Sequence, residues 1–401
     1  MRVLYVCADA GIPLDGTKGA SIHVRQTIES LAAEGVQVTV LAARPGASAT
    51  LPARILKTES PGASRPVRAV HAAGSALSRE MEGLAFAWDL ASTAPVSRGM
   101  VDLVYERYSL WSLAGLLLAE RLGAPLALEV NAPLVEEQAR YRGLTLEGTA
   151  SEIERVLARR ADAILCVSSA LLERMMRLRG RPEGVHLLPN AVDVDLFRPR
   201  GPRDTEEITV VFSGSLKPWH GLAVLLEAFA RLLGEQSKAR LLIIGHGPER
   251  ERLHQLASDL GIRERVTFTG AVAHERVPEL LTSADIGVSP ASADAGAYFS
   301  PMKAGEYLAA GLAVVAADHG DLPALLRRGN AAVLVPPGSV GALADALITL
   351  AADSERRRIL GLAARDLAVR HLSLKGAASH LVGLMEEMMA KRSSIERVQA
   401  S

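Results

Sequence analysis

Apolar positions fall along the chain in two rhythms. Short apolar runs at residues 3–7, 36–41, 103–105, 126–130, 163–167 and 185–188 alternate with longer stretches, such as 20–34 and 152–160, whose apolar residues recur at helical spacing. A second series follows at 209–212, 240–244, 266–269, 286–289, 313–316 and 332–335, with helical stretches at 223–233 and 250–260 between them. Strands alternating with helices predict a parallel sheet covered on both faces. Two such series predict an α/β chain of two Rossmann-like, doubly wound domains. The break between them is placed in residues 189–204, where Pro189, Pro199, Pro202 and Gly201 interrupt any period. The expected domains are therefore 1–188 and 189–375. Residues 340–392 read as consecutive helices, 51–78 as a loop, and the polar tail after Lys391 as a segment that frays.

Composition narrows the function. The 401 residues are 49% hydrophobic and 22% charged, enough to bury a core without metal or disulfide staples. Lys plus Arg and Asp plus Glu are each 45, so the net charge is zero. That argues against a nucleic-acid partner, which calls for a basic excess. Cys7 and Cys166 lie in apolar runs without zinc-type spacing, as expected of inert core thiols in a reducing cytosol. No apolar run approaches the length of a membrane span, and Asp9 interrupts the first one, which reads as a strand and not as a signal peptide. The expected location is the cytoplasm. Arg159, Arg160, Arg174, Arg177, Arg179 and Arg181 make one helical region basic, either as a solvated face or as a weak peripheral contact with the inner face of the membrane.

In open parallel sheets ligands bind beyond the carboxyl ends of strands, so the loops after strands carry the candidate chemistry. The sharpest is Tyr298, Phe299, Ser300, Pro301, Met302, Lys303, followed by Gly305, Glu306 and Gly311. Ser300 suits an N-cap, Pro301 the first helical position and Gly311 the stop. Lys303 in a first turn is mildly unfavourable unless an anion occupies the helix start, which points to a phosphate. Glu306, one turn on, suits paired sugar hydroxyls; the same spacing also fits a surface Lys303–Glu306 ion pair. Gly214, Ser215, Lys217 and His220 form a second loop, either a plain strand–helix connection or a partner of the same diphosphate. The loop with Gly11, Gly16 and Gly19, followed by His23, reads as backbone that approaches a ligand or as a flexible surface loop. It matches neither GxGxxG nor a P-loop. Asp318, His319 and Asp321 fit N-capping as well as a metal, and no other metal pattern is present, so no metal is expected.

Taken in order, several segments resemble retaining glycosyltransferases of family 4, which have the GT-B fold of two domains facing a cleft. Residues 188–197 (LPNAVDVDLF) are similar to the family's PNGVD segment, with Ala191 in place of Gly. Residues 244–249 (IGHGPE) resemble its GxGPE turn, and 266–272 (VTFTGAV) its base-binding strand end. Residues 298–311 resemble its donor motif, and 128–134 and 217–221 recur in one branch. The resemblance implies transfer of a hexose from a nucleoside-diphosphate sugar to a hydroxyl acceptor (a glycan, lipid or small metabolite) with retention, and no cofactor or metal. It implies that Glu306 binds the ribose, that Lys303 and Lys217 act on the leaving diphosphate, and that Gly245, Gly270, Ala271 and Val272 lie at the nucleotide. The N-terminal domain would hold the acceptor, with Gly16 and Gly19 near the diphosphate, Asn131 and Glu129 on the acceptor side, and a final helix of about 376–401 completing it. Four further positions depart from the family pattern. Tyr298 stands where the E-x7-E motif has its first acid, with Asp294 the nearest carboxylate, Ser215 and His220 stand at the usual Arg/Lys pair, and Asn131 stands where a His often follows the strand at 126–130. A nucleotide-sugar epimerase and an inactive sugar-nucleotide-binding scaffold are the alternative readings.

Overall fold

The computed structural model describes residues 1–46, 51–56, 76–199, 201, 207–294 and 302–400. The chain divides into two compact units, Met1–Pro189 with Ala377–Ser401, and Asn190–Gly376.

Among the described residues the first unit has a parallel sheet of seven strands: β1 (Arg2–Cys7), β2 (Gln37–Ala42), β3 (Arg54–Ile55), β4 (Leu103–Arg107), β5 (Leu126–Val130), β6 (Ala163–Cys166) and β7 (Val185–Leu187). Their order is β3-β2-β1-β4-β5-β6-β7. The second unit has six parallel strands, β8 (Thr209–Ser213), β9 (Arg240–Ile244), β10 (Val266–Gly270), β11 (Ile286–Ser289), β12 (Ala313–Ala317) and β13 (Ala332–Val335), in the order β10-β9-β8-β11-β12-β13. Both sheets reverse direction of winding once, between β1 and β4 and between β8 and β11. Such a switch point leaves a crevice at the carboxyl ends of the two strands. The loops after β1, β8 and β11 therefore open there by topology alone.

The strands are nearly continuous apolar runs because both sheet faces are covered. In β8, Val210 and Phe212 face one buried cluster with Leu225, Phe229 and Leu347, while Val211 faces the other with Tyr307 and Leu308. In the first unit Val3, Tyr5 and Cys7 share a core with Val24, Ile28 and Leu31 of the helix Gly19–Ala33. Cys7 and Cys166 are buried free thiols, both pushed up to about 12 chiefly by burial.

Three features depart from the sequence expectation. Residues 51–78 are not all loop: Arg54–Ile55 pairs with β2, and a helix, Ala76–Thr93, begins inside that stretch. The helix expected at 152–160 starts at Glu147, because Glu80 from that unexpected helix accepts hydrogen bonds from the Thr145 and Leu146 N–H groups (2.8 and 2.7 Å) and so satisfies its start from a distance. The basic region is a free face only in part, with Arg159, Arg160, Arg177 and Arg181 exposed. Arg174 pairs with Glu154 at 2.6 Å and with Glu136, and the buried Arg179 donates to the Ala158 and Ala161 carbonyls (both 2.8 Å). No helix among the described residues is long and apolar enough to cross a membrane.

The last helix, Leu374–Ala400, adds Leu381 and Met385 to the core of the first unit, and Ser379 donates to Glu34 at 3.1 Å. Met385 is fully buried there. Met385→Ala should cost about 2–5 kcal/mol, read as a lower midpoint in urea unfolding; a loss below about 1 kcal/mol would show that this helix does not seal that core.

Candidate active site

In the second unit the loop after β8 and the helix Met302–Ala309 come together. Gly214 (φ +146°) and Gly245 (φ +137°) follow β8 and β9 in backbone that side chains rarely adopt. A Cβ on Gly245 would fall 1.9 Å from the Gly214 carbonyl oxygen, so two glycines are needed for these loop starts to lie side by side. The helix Met302–Ala309 is fixed at both ends. Tyr307 accepts the Ser213 N–H at the end of β8 (2.5 Å), and its ring occupies the space a side chain at Gly287 would need. At the other end the Arg365 guanidinium donates to the Ala309 carbonyl (2.8 Å) and to those of Val194 and Phe197 (2.8 and 2.7 Å). A cation on a helix's last carbonyls also opposes its dipole favourably.

That anchoring sets Lys303 and Glu306. Neither is on the surface, so the surface ion-pair reading is corrected. Glu306 is 8% exposed, and Lys303 lies with its ammonium 4.6 Å from the Phe212 ring centroid and its Cδ 3.6 Å from where a Gly214 Cβ would be. Burial pulls Lys303 down to about 7, opposed by Glu306, and pushes Glu306 up to about 7, opposed by Lys303. Each charge is under-compensated by its partner. An anion beside Lys303 would restore its proton, and hydroxyl donors beside Glu306 would favour its carboxylate.

His220 sits in the same group. Its Nδ1–H donates to the Ser215 carbonyl at 2.6 Å, which fixes the ring at the loop's turn. Burial, then Lys303 and Lys217, hold it at about 3, so it is a neutral imidazole. At the two positions where the resemblance expects a cationic pair, His220 supplies a neutral ring, and Ser215, which is exposed, supplies its carbonyl. Lys217 stays part-exposed, its ammonium 5.6 Å from the Trp219 ring centroid. Gly270 (φ +72°), exposed Ala271 and half-buried Val272 follow β10. Next to them, His274 places Nδ1 3.9 Å from Glu306 Oε1. Tyr298, Phe299, Ser300 and Pro301 lie outside the described residues, as does the Met302 side chain; Asp294 is exposed just before them.

The first unit holds a second charged cluster at the ends of β4 and β5. Glu129 is 3% exposed. His23 Nε2 lies 2.5 Å from its Oε1 and Arg107 Nη1 lies 3.5 Å from its Oε2. Burial alone would raise its pKa; His23 and Arg107 outweigh burial and hold Glu129 at about 2. Tyr5 and Tyr105 stack beneath it, centroids 5.1 Å apart. Asn131 follows β5 and is half-buried. The glycine loop is crowded internally: a Cβ on Gly16 would meet Ser21 Oγ at 2.5 Å, whereas Gly19 faces open space. Gly16 therefore serves the loop's own packing, while nothing among the described residues requires a glycine at position 19.

Sequence reading missed Arg107, Tyr5, Tyr105, His274, Tyr307 and Arg365. A basic residue at the carboxyl end of a strand was the available signal for Arg107, while Tyr5 and Tyr105 sit mid-strand, where an aromatic reads as core. The others act through partners far along the chain. Among the described residues no group of three or more His, Cys, Asp or Glu is placed to hold a metal ion, and Asp318 pairs instead with Arg327 at 2.5 Å.

Residues 193–367 match the family profile described as glycosyl transferases group 1, and residues 17–196 the profile described as glycosyltransferase family 4. The D-inositol 3-phosphate glycosyltransferase of Nocardia farcinica is 30% identical over 73% of this chain and 67% of its own. The MMP alpha-(1->4)-mannosyltransferase of Mycolicibacterium hassiacum is 27% identical over 93% of this chain and 95% of its own. Among solved structures, HepE of Anabaena in complex with UDP matches with a TM-score of 0.72 at 19% identity, covering 96% of this chain and 100% of that one. Sucrose-phosphate synthase from Thermosynechococcus elongatus matches with a TM-score of 0.74 at 21% identity, covering 98% and 100%. The chain belongs to glycosyltransferase family 4, and its two parallel-sheet units are those of the GT-B fold.

Glu129→Gln leaves the buried Arg107 without its carboxylate and removes the charged partner of His23. Breaking a buried pair costs about 3–5 kcal/mol, so the melting temperature at pH 7 should fall by several degrees. A carboxylate held below its unfolded pKa stabilises above that value and loses this as pH falls through the folded one. The gap between wild type and variant should therefore narrow as pH drops below about 4.5 towards about 2. Equal melting temperatures at pH 7 would contradict the network's role.

Proposed function

We propose that this glycosyltransferase moves a hexose from a nucleoside-diphosphate sugar to a hydroxyl acceptor with retention of anomeric configuration and without a metal ion. The observation that carries this is the buried Lys303–Glu306 pair, one turn apart on a helix that follows β11, beside the His220 and Lys217 loop that follows β8. The second unit would hold the donor and the first the acceptor. The relatives' names make GDP-mannose and UDP-sugars the first donors to try: one relative in Mycobacterium tuberculosis is named as GDP-mannose-dependent, and HepE was solved with UDP.

In this reading Glu306 accepts from the ribose hydroxyls. The backbone after β10, at Gly270, Ala271 and Val272, meets the base. Lys303, Lys217 and the backbone N–H groups around Gly214 and Ser215 face the diphosphate. As the anomeric bond breaks, positive charge grows on the sugar and negative charge on the departing phosphate. Lys303, drawn fully protonated by that charge, stabilises it in a site that water barely enters, where one such donor is worth about 3–4 kcal/mol. The departing phosphate oxygen takes the acceptor hydroxyl's proton, and attack comes from the face it leaves. Glu129 stays ionised and committed to His23 and Arg107, so it is assigned to shaping the acceptor side with Asn131, not to a covalent intermediate. The proposed partners are a sugar nucleotide and a hydroxyl acceptor, with the exposed Arg159, Arg160, Arg177 and Arg181 as the surface for a weak peripheral contact with a membrane. Neither the epimerase nor the inactive scaffold gains support from family or geometry.

Thermal unfolding with saturating GDP or UDP tests the donor site directly. A ligand at 100 times its Kd adds about 2.7 kcal/mol, several degrees for a domain of this size. One nucleotide should raise the melting temperature equally in EDTA and in Mg²⁺, and Glu306→Ala should abolish the rise. In a transfer assay Lys303→Ala should lower kcat about 100- to 1000-fold. Near-wild-type turnover in both variants would refute the assignment.

A further inference from the structure

His274 is a residue the reaction as proposed does not use, yet it lies against the carboxylate on which nucleotide recognition would rest. It opens the 3-10 turn His274–Arg276, immediately after the Gly270–Val272 backbone. Its Nδ1 is 3.9 Å from Glu306 Oε1, and both side chains are 11% exposed. Phe197 packs against the ring, centroids 5.5 Å apart at 57°, and holds it from the other side. Among the described residues three titratable groups face Glu306. They are His274 from this turn, Lys303 one helical turn back, and Tyr307, whose hydroxyl is committed to Ser213. Lys303 reaches the other way, towards the Phe212 ring and Gly214.

This geometry divides the labour between two cations. A diphosphate at the β8 loop would engage Lys303 and leave Glu306 with His274 as its counter-charge. Burial pushes the Glu306 carboxyl up to about 7, so near neutral pH the carboxyl readily takes a proton unless a cation faces it. A carboxylate can accept from two neighbouring hydroxyls at once, whereas a carboxylic acid must donate with one oxygen and loses the paired arrangement. Resting on the reading of Glu306 as the ribose carboxylate, we infer that His274 is a positioning residue that faces Glu306 at ion-pair distance, favours its carboxylate form, and thereby sets the preference for a ribose over a 2′-deoxyribose nucleotide.

The test is calorimetric titration of the full chain with GDP, UDP and their 2′-deoxy forms between pH 5.5 and 8.5, for wild type, His274→Ala, His274→Gln and Glu306→Gln. Wild type should prefer the ribonucleotide about tenfold, the worth of one hydrogen bond to a charged group, across this range. In His274→Ala the preference should vanish near pH 6 and return as pH rises past about 7 and Glu306 ionises unaided. His274→Gln, which can orient the carboxylate but cannot become a cation, should show the same pH dependence in milder form. A wild-type ratio in His274→Ala at every pH, with the ratio lost in Glu306→Gln, overturns the inference alone. An equal, pH-independent loss for both nucleotides in His274→Ala marks a merely structural ring and overturns it too. No nucleotide binding by wild type, or an intact ribose preference in Glu306→Gln, overturns the donor-site reading and this inference together.

Discussion

The second unit is organised around keeping one ammonium and one carboxylate out of water on the same side of an eight-residue helix. Removing a charge from water costs several kcal/mol per ion, and their mutual attraction repays it only with good geometry and further hydrogen bonds. Lys303 and Glu306 lack the close contact that would repay it, and both titrate near 7 as a result. The strain has to be carried by the scaffold. Tyr307 ties the helix to the end of β8, Gly287 gives that ring its space, and Arg365 binds the last carbonyls to the Val194–Phe197 backbone. Each of these contacts resists the movement that would let water in.

The first unit solves the opposite problem. Glu129 is as deeply buried as Glu306, yet it sits between His23 and Arg107 and titrates at about 2. A guanidinium and an imidazole on one carboxylate make a closed network that needs no ligand to be stable. The same residue type, at comparable burial, is thus a fixed strut in one unit and an open valence in the other. The difference comes from partners within about 4 Å and not from depth. It explains why Glu306 is the better candidate for a substrate contact, although both carboxylates follow from the sequence with equal ease.

What the sequence could and could not tell follows from the range of the interactions involved. The strands of both sheets and the helix at Lys303 are written locally, in apolar runs, a Pro and a Gly stop, and they are found close to their expected bounds. The loop expected at 51–78 runs into the first residues of the helix Ala76–Thr93 because its polar start, with Ser78, Arg79, Glu80 and Glu82, hides its apolar period, and its buried Glu80 serves another helix. Arg174 and Arg179 were read as a basic face because nothing in their neighbourhood along the chain shows Glu154 or the Ala158 carbonyl waiting for them. The Lys303–Glu306 spacing was legible, but its burial was not, and burial is what turns a commonplace ion pair into a site.

His220 gives the last step of this argument. The family pattern places a permanent cation where this chain has an imidazole held neutral by burial and by its two lysine neighbours. A third fixed positive charge beside Lys303 and Lys217 would repel both in the empty protein, and part of the folding free energy would go into holding them together. A neutral ring removes that repulsion and still fixes the loop through the Ser215 carbonyl.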